Sequence, residues 1–236
     1  MKIAELYRSL QGEGLLAGTP STFVRTSGCN LRCRWCDTPF TSWEPVGEEC
    51  SSSEVVRRIE SLGCSHVVVT GGEPLLFADV TRTCRHLRAL GYHVTIETAG
   101  TVLNSDAPAG ELADLFSISP KLASSTPPAD TPGGWRGRHE AARRRDDVVA
   151  RLMGAGDYQL KFVIDSEADL AEACSWLTSL EDQVHLDRSR VFLMPQGIDE
   201  ATLATTAAWL EPASTREGLR FAPRHHLTWF GHTRGS

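Results

Sequence analysis

Three cysteines fall within eight residues of one another in the segment Cys29-Asn30-Leu31-Arg32-Cys33-Arg34-Trp35-Cys36. The C-x3-C-x2-C spacing lets one short loop wrap three thiolates around a single metal centre. Thiolates are the usual ligands of iron–sulfur clusters and also suit zinc. A structural zinc site wants four ligands, so a zinc reading would need a distant histidine to complete the set. A cubane held by three cysteines instead leaves one iron open to a substrate or cofactor. The chain has seven cysteines in all. An odd, clustered set argues against a disulfide framework and for a reducing compartment. Cys64, Cys84 and Cys174 sit in or beside helical patterns, where cysteine usually packs as a small hydrophobe. Cys50 follows a turn-rich stretch.

The elements that must hold this loop alternate between β-rich runs and helical ones. Strands are expected at Thr22–Thr26, His66–Val69, His93–Ile96, Leu115–Ile118, Gln159–Ile164, Arg190–Leu193 and Leu219–Ala222. One helix carries Val55, Val56, Ile59 and Leu62 behind a Ser51-x-x-Glu54 capping box. A second runs from about Glu167 to Leu180 with Leu170, Ala173, Cys174 and Leu177 on one face. A third lies near Glu200–Leu210 and stacks Leu203, Ala207 and Leu210. Strands alternating with helices imply parallel β/α units. Seven strands fall one short of a closed eight-stranded barrel, so an α/β fold of the incomplete, TIM-like barrel type is expected, with a doubly wound open sheet as the second choice. The residues 122–150 read as an exposed excursion on a single domain spanning 1–236. Its Pro- and Gly-rich first half leads into a basic segment diluted by Glu140, Asp146 and Asp147, which reads as a solvated helix face.

Polar groups follow five of these strands. The cysteine loop follows the first, Thr70-Gly71-Gly72-Glu73-Pro74 the second, and Glu97-Thr98 the third. Ser119-Pro120-Lys121 and Met194-Pro195-Gln196-Gly197 follow two others. In a β/α barrel that C-terminal edge carries the active site. Each motif is weak singly, and their shared position is what carries weight.

A chain of 236 residues with 41% apolar and 23% charged residues fits an ordinary globular protein. Its net charge of −6 argues against a nucleic-acid binder that relies on phosphate attraction. No apolar run reaches the roughly 18 residues of a membrane helix. The charged start, Met1-Lys2-Ile3-Ala4-Glu5, is unlike a signal peptide, so a cytoplasmic location is expected.

The cysteine motif with an aromatic residue before its last Cys, followed by a Gly-Gly-Glu loop, resembles the radical S-adenosylmethionine (SAM) superfamily. Within it the chain resembles the 7-carboxy-7-deazaguanine synthase family. The marks are Ser9-Leu10-Gln11-Gly12-Glu13-Gly14, Phe23-Val24-Arg25, Cys36-Asp37-Thr38, Thr70-Gly71-Gly72-Glu73-Pro74, Ser119-Pro120-Lys121, Leu160-Lys161-Phe162-Val163, Met194-Pro195-Gln196-Gly197 and Arg224-x-His226. They span nearly the whole chain. The resemblance implies a [4Fe–4S] cluster on Cys29, Cys33 and Cys36, with SAM chelating the open iron. It implies SAM contacts from Trp35, Asp37, Gly72, Glu73, Glu97, Ser119, Pro120, Lys121 and Gln196. Substrate contacts would come from Leu10, Gln11, Gly12, Glu13, Arg25, Thr70 and His226, with Arg25 on a carboxylate, and Thr38 would ligate Mg2+. The implied reaction is the ring contraction of 6-carboxy-5,6,7,8-tetrahydropterin to 7-carboxy-7-deazaguanine with loss of ammonia. A flavodoxin- or ferredoxin-type reductant and a homodimer are implied as well. Two other readings compete. A glycyl-radical-enzyme activase shares the cysteine spacing but has no use for Gln11-Gly12-Glu13 or Arg25. An iron–sulfur electron carrier usually ligates every iron with cysteine and has no use for the Gly-Gly-Glu loop.

Overall fold

Alternation along each strand decides which side chains reach the site. The computed structural model describes residues 1–104, 108–231 and 233–235. Its strands are β1 (Lys2–Leu10), β2 (Pro20–Thr26), β3 (Glu48–Glu49), β4 (His66–Gly71), β5 (His93–Thr98), β6 (Leu115–Ile118), β7 (Asp157–Ile164), β8 (Val191–Pro195) and β9 (Arg220–Phe221). They form one sheet in the order β3-β1-β2-β4-β5-β6-β7-β8-β9. From β2 through β4 to β9 every neighbouring pair is parallel. β1 runs antiparallel to both β2 and β3. Among the described residues no pairing joins β3 to β9, so the sheet stays open as a partial barrel.

The seven parallel strands are the seven expected from the sequence. Their order never reverses, as it would at the switch point of a doubly wound sheet. The sequence reading missed β1 and the short β3. A register shift between Ile3 and Glu5 breaks the alternation of β1, and its inward positions carry Glu5 and Tyr7 rather than apolar residues. Both features hide a strand from a search for period-two hydrophobicity.

The helices are α1 (Pro39–Ser42), α2 (Ser52–Leu62), α3 (Ala78–Ala89), α4 (Trp135–Arg143), α5 (Asp146–Met153), α6 (Glu167–Glu181), α7 (Glu200–Arg216) and α8 (His225–Phe230). The Ser51 hydroxyl caps α2 by accepting the Glu54 N–H at 3.2 Å, and Gly63 ends the helix at φ +66°. Val55, Val56 and Ile59 of α2 and Val80, Cys84 and Leu87 of α3 are buried against the outer face of the sheet. Ala173, Trp176, Leu177 and Leu180 of α6 join them, with Trp176 edge-to-face on Phe162 at 5.9 Å. α7 continues past its expected end at Leu210 to Arg216 and carries Pro212 on an exposed position.

The 122–150 stretch divides in two. Its tip, 128–134, is exposed apart from the half-buried Thr131. Leu122, Ser125, His139, Val148 and Val149 are buried, and α4 and α5 pack on the body of the protein. The reading of a solvated basic face thus holds for Arg138, Arg144, Arg145 and Arg151 but not for Arg143, which is largely buried against Glu140 and Glu172, nor for the histidine and valines between them.

Two buried histidines make stability depend on pH. His66 sits between the hydroxyls of Ser21 at 2.7 Å and Thr95 at 2.8 Å. His139 accepts the Arg32 N–H on Nδ1 at 3.2 Å and meets Ser125 Oγ through Nε2 at 2.9 Å. Burial pulls both imidazoles down to about 4. Below the ordinary value of 6.5 the unfolded chain therefore binds more protons than the folded one, and stability falls as pH falls from 6.5 to 4. Each histidine is expected to cost about 3 kcal/mol by pH 4. Denaturant titrations of wild type and of His66→Gln and His139→Gln at pH 7 and pH 5 check this. The substitutions should flatten the loss on acidification.

Candidate functional site

The inner face of the sheet and the loops at its C-terminal edge enclose a cavity of about 480 Å³. This lies within the usual range for small-molecule sites. Register builds its wall. Glu5 faces Arg25 across β1 and β2, and Arg25 faces Thr70 across β2 and β4. Glu97 faces Ser117 across β5 and β6, and Ser117 faces Gln159 across β6 and β7. The intervening residues point outward: Val24, Val69, Ile96, Phe116, Leu160 and Phe162 belong to the core. One polar layer thus crosses six strands because each strand alternates.

Hydrogen bonds lock this layer. Glu97 accepts from Gln11 Nε2 at 3.0 Å and from Thr70 Oγ1 at 2.8 Å. Gln11 Oε1 accepts the Glu13 N–H at 3.2 Å, and Gln159 Nε2 donates to Ser117 Oγ at 2.7 Å. Arg25 donates from Nε to Glu5 at 2.8 Å and from Nη2 to the Tyr7 hydroxyl at 2.9 Å. Its Nη1 has no protein partner among the described residues and is available to a ligand in the cavity.

A buried charge network lies beside the layer. Glu13 pairs with Lys161, stands 3.4 Å from Arg224 Nε, and stands 3.6 Å from His226 Nδ1. Arg224 also donates to the Gly197 carbonyl at 2.7 Å and to Asp37 at 2.6 Å. One guanidinium therefore ties the loop after β8 to the end of the cysteine loop and to the loop after β1. Burial alone would push the Glu13 carboxyl up, but Lys161 and Arg224 outweigh it and hold the group well below the usual carboxylate range. Burial would likewise lower Lys161, and Glu13 more than offsets that. His226 is lowered, chiefly by burial, despite Glu13.

Cys29, Cys33 and Cys36 all line the cavity. Burial pushes the Cys29 and Cys33 thiols up to about 12, so binding iron must release protons. Among the described residues no three Cys, His, Asp or Glu side chains converge tightly enough to hold one metal ion. A cubane makes no such demand, since each thiolate takes a different iron and the three stand wider apart than ligands of a single zinc. The donor set is soft and fits an iron–sulfur cluster. Trp35 adds a second fit. It packs on Val163, Phe192, Met194 and Ala222 inside the barrel, yet its buried Nε1 has no partner. An acceptor supplied by a bound ligand would satisfy it. Lys121, on the same cavity, is held by the Ser119 carbonyl at 2.6 Å and hydroxyl at 2.8 Å and has no carboxylate partner among the described residues.

The Gly71-Gly72 turn braces the cysteine loop. The Gly72 N–H donates to Thr26 O, Glu73 N–H donates to Gly28 O, and Gly28 N–H donates to Thr41 O. A Cβ on Gly72 would stand 2.1 Å from the Gly28 carbonyl oxygen, so no side chain fits there. Gly12 is similarly pressed against His226, whose Cβ would stand 2.6 Å from an added Cβ.

Of the twenty residues the sequence assigns to the site, only Glu73 and Pro120 stay off the cavity wall. The Glu73 carboxylate is fully buried and accepts from Leu75 N–H, Thr98 Oγ1 and Ala99 N–H at 3.2, 2.8 and 2.9 Å. These bonds fasten the turn after β4 to the end of β5. Pro120 is buried behind the Ser119-Lys121 turn. Glu5, Tyr7, Lys161 and Arg224 line the cavity without having been assigned to the site. A lysine inside the apolar run Leu160–Ile164 was the available clue to Lys161, since a lone charge on a buried strand needs a partner.

A sequence profile of the radical SAM superfamily matches residues 23–157. The chain is 45% identical to the 7-carboxy-7-deazaguanine synthase of Halobacterium salinarum, covering 96% of this chain and 89% of the relative. It is 40% identical to that of Rhodopirellula baltica over 99% of this chain and 88% of the relative. The crystal structure of QueE from Escherichia coli superimposes with a TM-score of 0.65 at 22% identity, covering 95% and 94% of the two chains. Streptococcus suis SuiB bound to S-adenosylmethionine gives a TM-score of 0.53 at 15% identity, covering 88% of this chain and 51% of that one. By the extent and level of this identity, the chain belongs to the 7-carboxy-7-deazaguanine synthase family of the radical SAM superfamily.

Proposed function

We propose that the protein converts 6-carboxy-5,6,7,8-tetrahydropterin to 7-carboxy-7-deazaguanine and ammonia. The observation that carries this reading is the single cavity on which three soft thiol ligands meet Arg25 and the Glu13–Lys161–Arg224 network. A carboxylated, hydrogen-bonding heterocycle suits that wall. The cluster and SAM, when bound, supply one-electron reduction and a carbon radical able to remove and return a hydrogen atom.

The chain's own residues then bind, orient and shield. The Arg25 Nη1 edge would take the substrate carboxylate, a charge-assisted contact favoured by the fixed planar fork of the guanidinium. Gln11, the Gly12 backbone, Glu13 and His226 would read the heterocycle's polar edge, with Leu10 packing beside them and Thr70 holding Glu97 in place. Lys121 and Ser119 would meet the carboxylate end of SAM. Trp35 would pack near its adenine, and Gln196, Glu97 and Asp37 would line the rest of that pocket. The apolar patch around Met194 and Val163 keeps water from that end of the cavity.

Thr38 is the proposed Mg2+ ligand. It stands at the N-cap position of α1 yet makes no side-chain capping bond, and its hydroxyl, on the cavity wall, accepts a 3.3 Å bond from Thr41 Oγ1 and lies 3.9 Å from Cys36 Sγ. Mg2+ retains waters and takes few protein oxygens, so substrate oxygens would complete its shell. A homodimer is part of the same reading, supported by Trp229 and Phe230, which are 41% and 39% exposed on α8. Among the described residues no helix is long and apolar enough to cross a membrane.

The test is anaerobic reconstitution with iron and sulfide, followed by SAM, reductant and the carboxypterin. Formation of 7-carboxy-7-deazaguanine is expected, with SAM cleavage dependent on the pterin. Cleavage indifferent to the pterin, with radical transfer to a protein backbone, would favour the activase reading instead. In the same assay Thr38→Ala should lose most Mg2+ stimulation while Thr38→Ser keeps much of it. Turnover unaffected by thorough chelation would return Thr38 to a loop role.

A further inference from the structure

Ser42, the last residue of α1, is buried and takes no part in the cavity wall, although its neighbours Pro39, Phe40 and Thr41 do. Its Oγ stands 3.3 Å from Cys36 Sγ and has no other hydrogen-bond partner among the described residues. A hydroxyl held away from water with no oxygen or nitrogen acceptor costs stability. An alanine would pack there without that cost, so the position calls for a strong acceptor. A neutral thiol is a weak one, and a metal-bound thiolate is better. Binding iron removes the Cys36 proton, which leaves Ser42 as the donor of the pair.

The short helix is pinned to the cysteine loop on both sides of this serine. The Gly28 N–H donates to the Thr41 carbonyl at 2.7 Å, and Trp43 Nε1 donates to the Cys33 carbonyl at 3.0 Å. Within α1 the Thr41 N–H and Oγ1 both donate to the Thr38 carbonyl, at 2.9 and 2.8 Å. The Ser42 hydroxyl is thereby fixed against the sulfur and needs no rearrangement when the charge on that sulfur changes. The three ligands also differ from one another. Cys29 Sγ accepts the Leu31 N–H at 3.4 Å, and Cys33 Sγ accepts no hydrogen bond among the described residues. Of the three, Cys36 alone meets side-chain hydroxyls, Ser42 at 3.3 Å and Thr38 at 3.9 Å.

We propose that the Ser42 hydroxyl donates to the Cys36 thiolate and sets the reduction potential of the cluster held by the 29–36 loop. The proposal rests on the iron–sulfur reading of that loop. The step concerned is one-electron reduction: a single electron from a one-electron reductant enters the cluster, and no bond forms or breaks. Reduction adds negative charge that spreads onto the ligand sulfurs, and a hydrogen bond donated to a sulfur favours the more negative state. Ser42 thus raises the potential and makes the cluster easier to reduce, acting from behind the cavity wall.

The test is a redox titration of reconstituted wild type, Ser42→Ala and Ser42→Thr without SAM, with the reduced cluster followed by electron paramagnetic resonance. Iron and sulfide content should be equal in all three. At a given solution potential, Ser42→Ala should lower the ratio of reduced to oxidised cluster roughly tenfold, a downward shift of about 59 mV for one electron. Ser42→Thr keeps the hydroxyl and should recover most of that shift, which a mere filling of space would not do. A fully loaded Ser42→Ala with the wild-type midpoint or a higher one overturns the proposal, and so does a Ser42→Thr midpoint equal to that of Ser42→Ala. Loss of the cluster from Ser42→Ala overturns it as well, by making Ser42 a structural prop of the loop. A wild type that takes up no reducible cluster removes the iron–sulfur reading together with the proposal, and that failure is read on wild type alone.

Discussion

Cys29→Ala is expected to lose nearly all of its iron on reconstitution and to reduce SAM cleavage to background. Three thiols on one loop leave no spare ligand. Cys50, Cys64, Cys84 and Cys174 are absent from the cavity wall, so none can substitute. Cys84 is fully buried in the core between α3 and the sheet. Its replacement by alanine should therefore keep the cluster and cost about 1 kcal/mol of stability, the scale of a small core truncation. Iron and sulfide content, the visible absorption of the cluster and SAM cleavage measured on both variants separate the two classes of cysteine. Loss of the cluster in Cys50→Ala or Cys64→Ala would contradict the assignment to the 29–36 loop.

Glu13→Ala should be the most damaging single change in the charge network. It removes the one carboxylate that faces Lys161, Arg224 and His226 together, leaving buried Lys161 uncompensated and Arg224 with Asp37 alone. Breaking a buried pair by deleting one partner costs about 3–5 kcal/mol. The double variant Glu13→Gln/Lys161→Met removes both charges and should recover most of that stability without recovering turnover. The sign with pH also follows. Because the Glu13 carboxyl is held far below its ordinary range, its contribution is complete above the unfolded value and is lost only in strong acid. Urea midpoints for wild type, single and double variants supply the cycle. A Glu13→Ala midpoint equal to wild type would mean that water screens the network.

The parallel strands were legible because each is a short apolar run ending in a polar or glycine motif, a pattern that buried β/α units impose. The site was legible for the same reason: the motifs at those ends converge on one cavity wall. β1 was not, because the residues it turns inward are Glu5 and Tyr7. The bracing bonds of Glu73 were not legible because a motif does not tell which way a carboxylate turns, and three nearby donors hold it in the wall. His139 was hidden among arginines, where a charge run masks one buried position. The partners of Arg25 and Gln11 depend on cross-strand register and on contacts 86 residues apart in sequence, which no local pattern encodes.

The polar layer from Glu5 to Gln159 has a consequence for how the chain can change length. Each member holds its place by its residue count along a strand, and a slip of one residue would turn it to the opposite face. Insertions or deletions within β2, β4, β5, β6 or β7 should therefore erase the site even where the fold survives. The exposed tip at 128–134 lies outside that count. Variation in length should collect there, leaving the spacing from each strand's first residue to its inward-facing polar group unaltered.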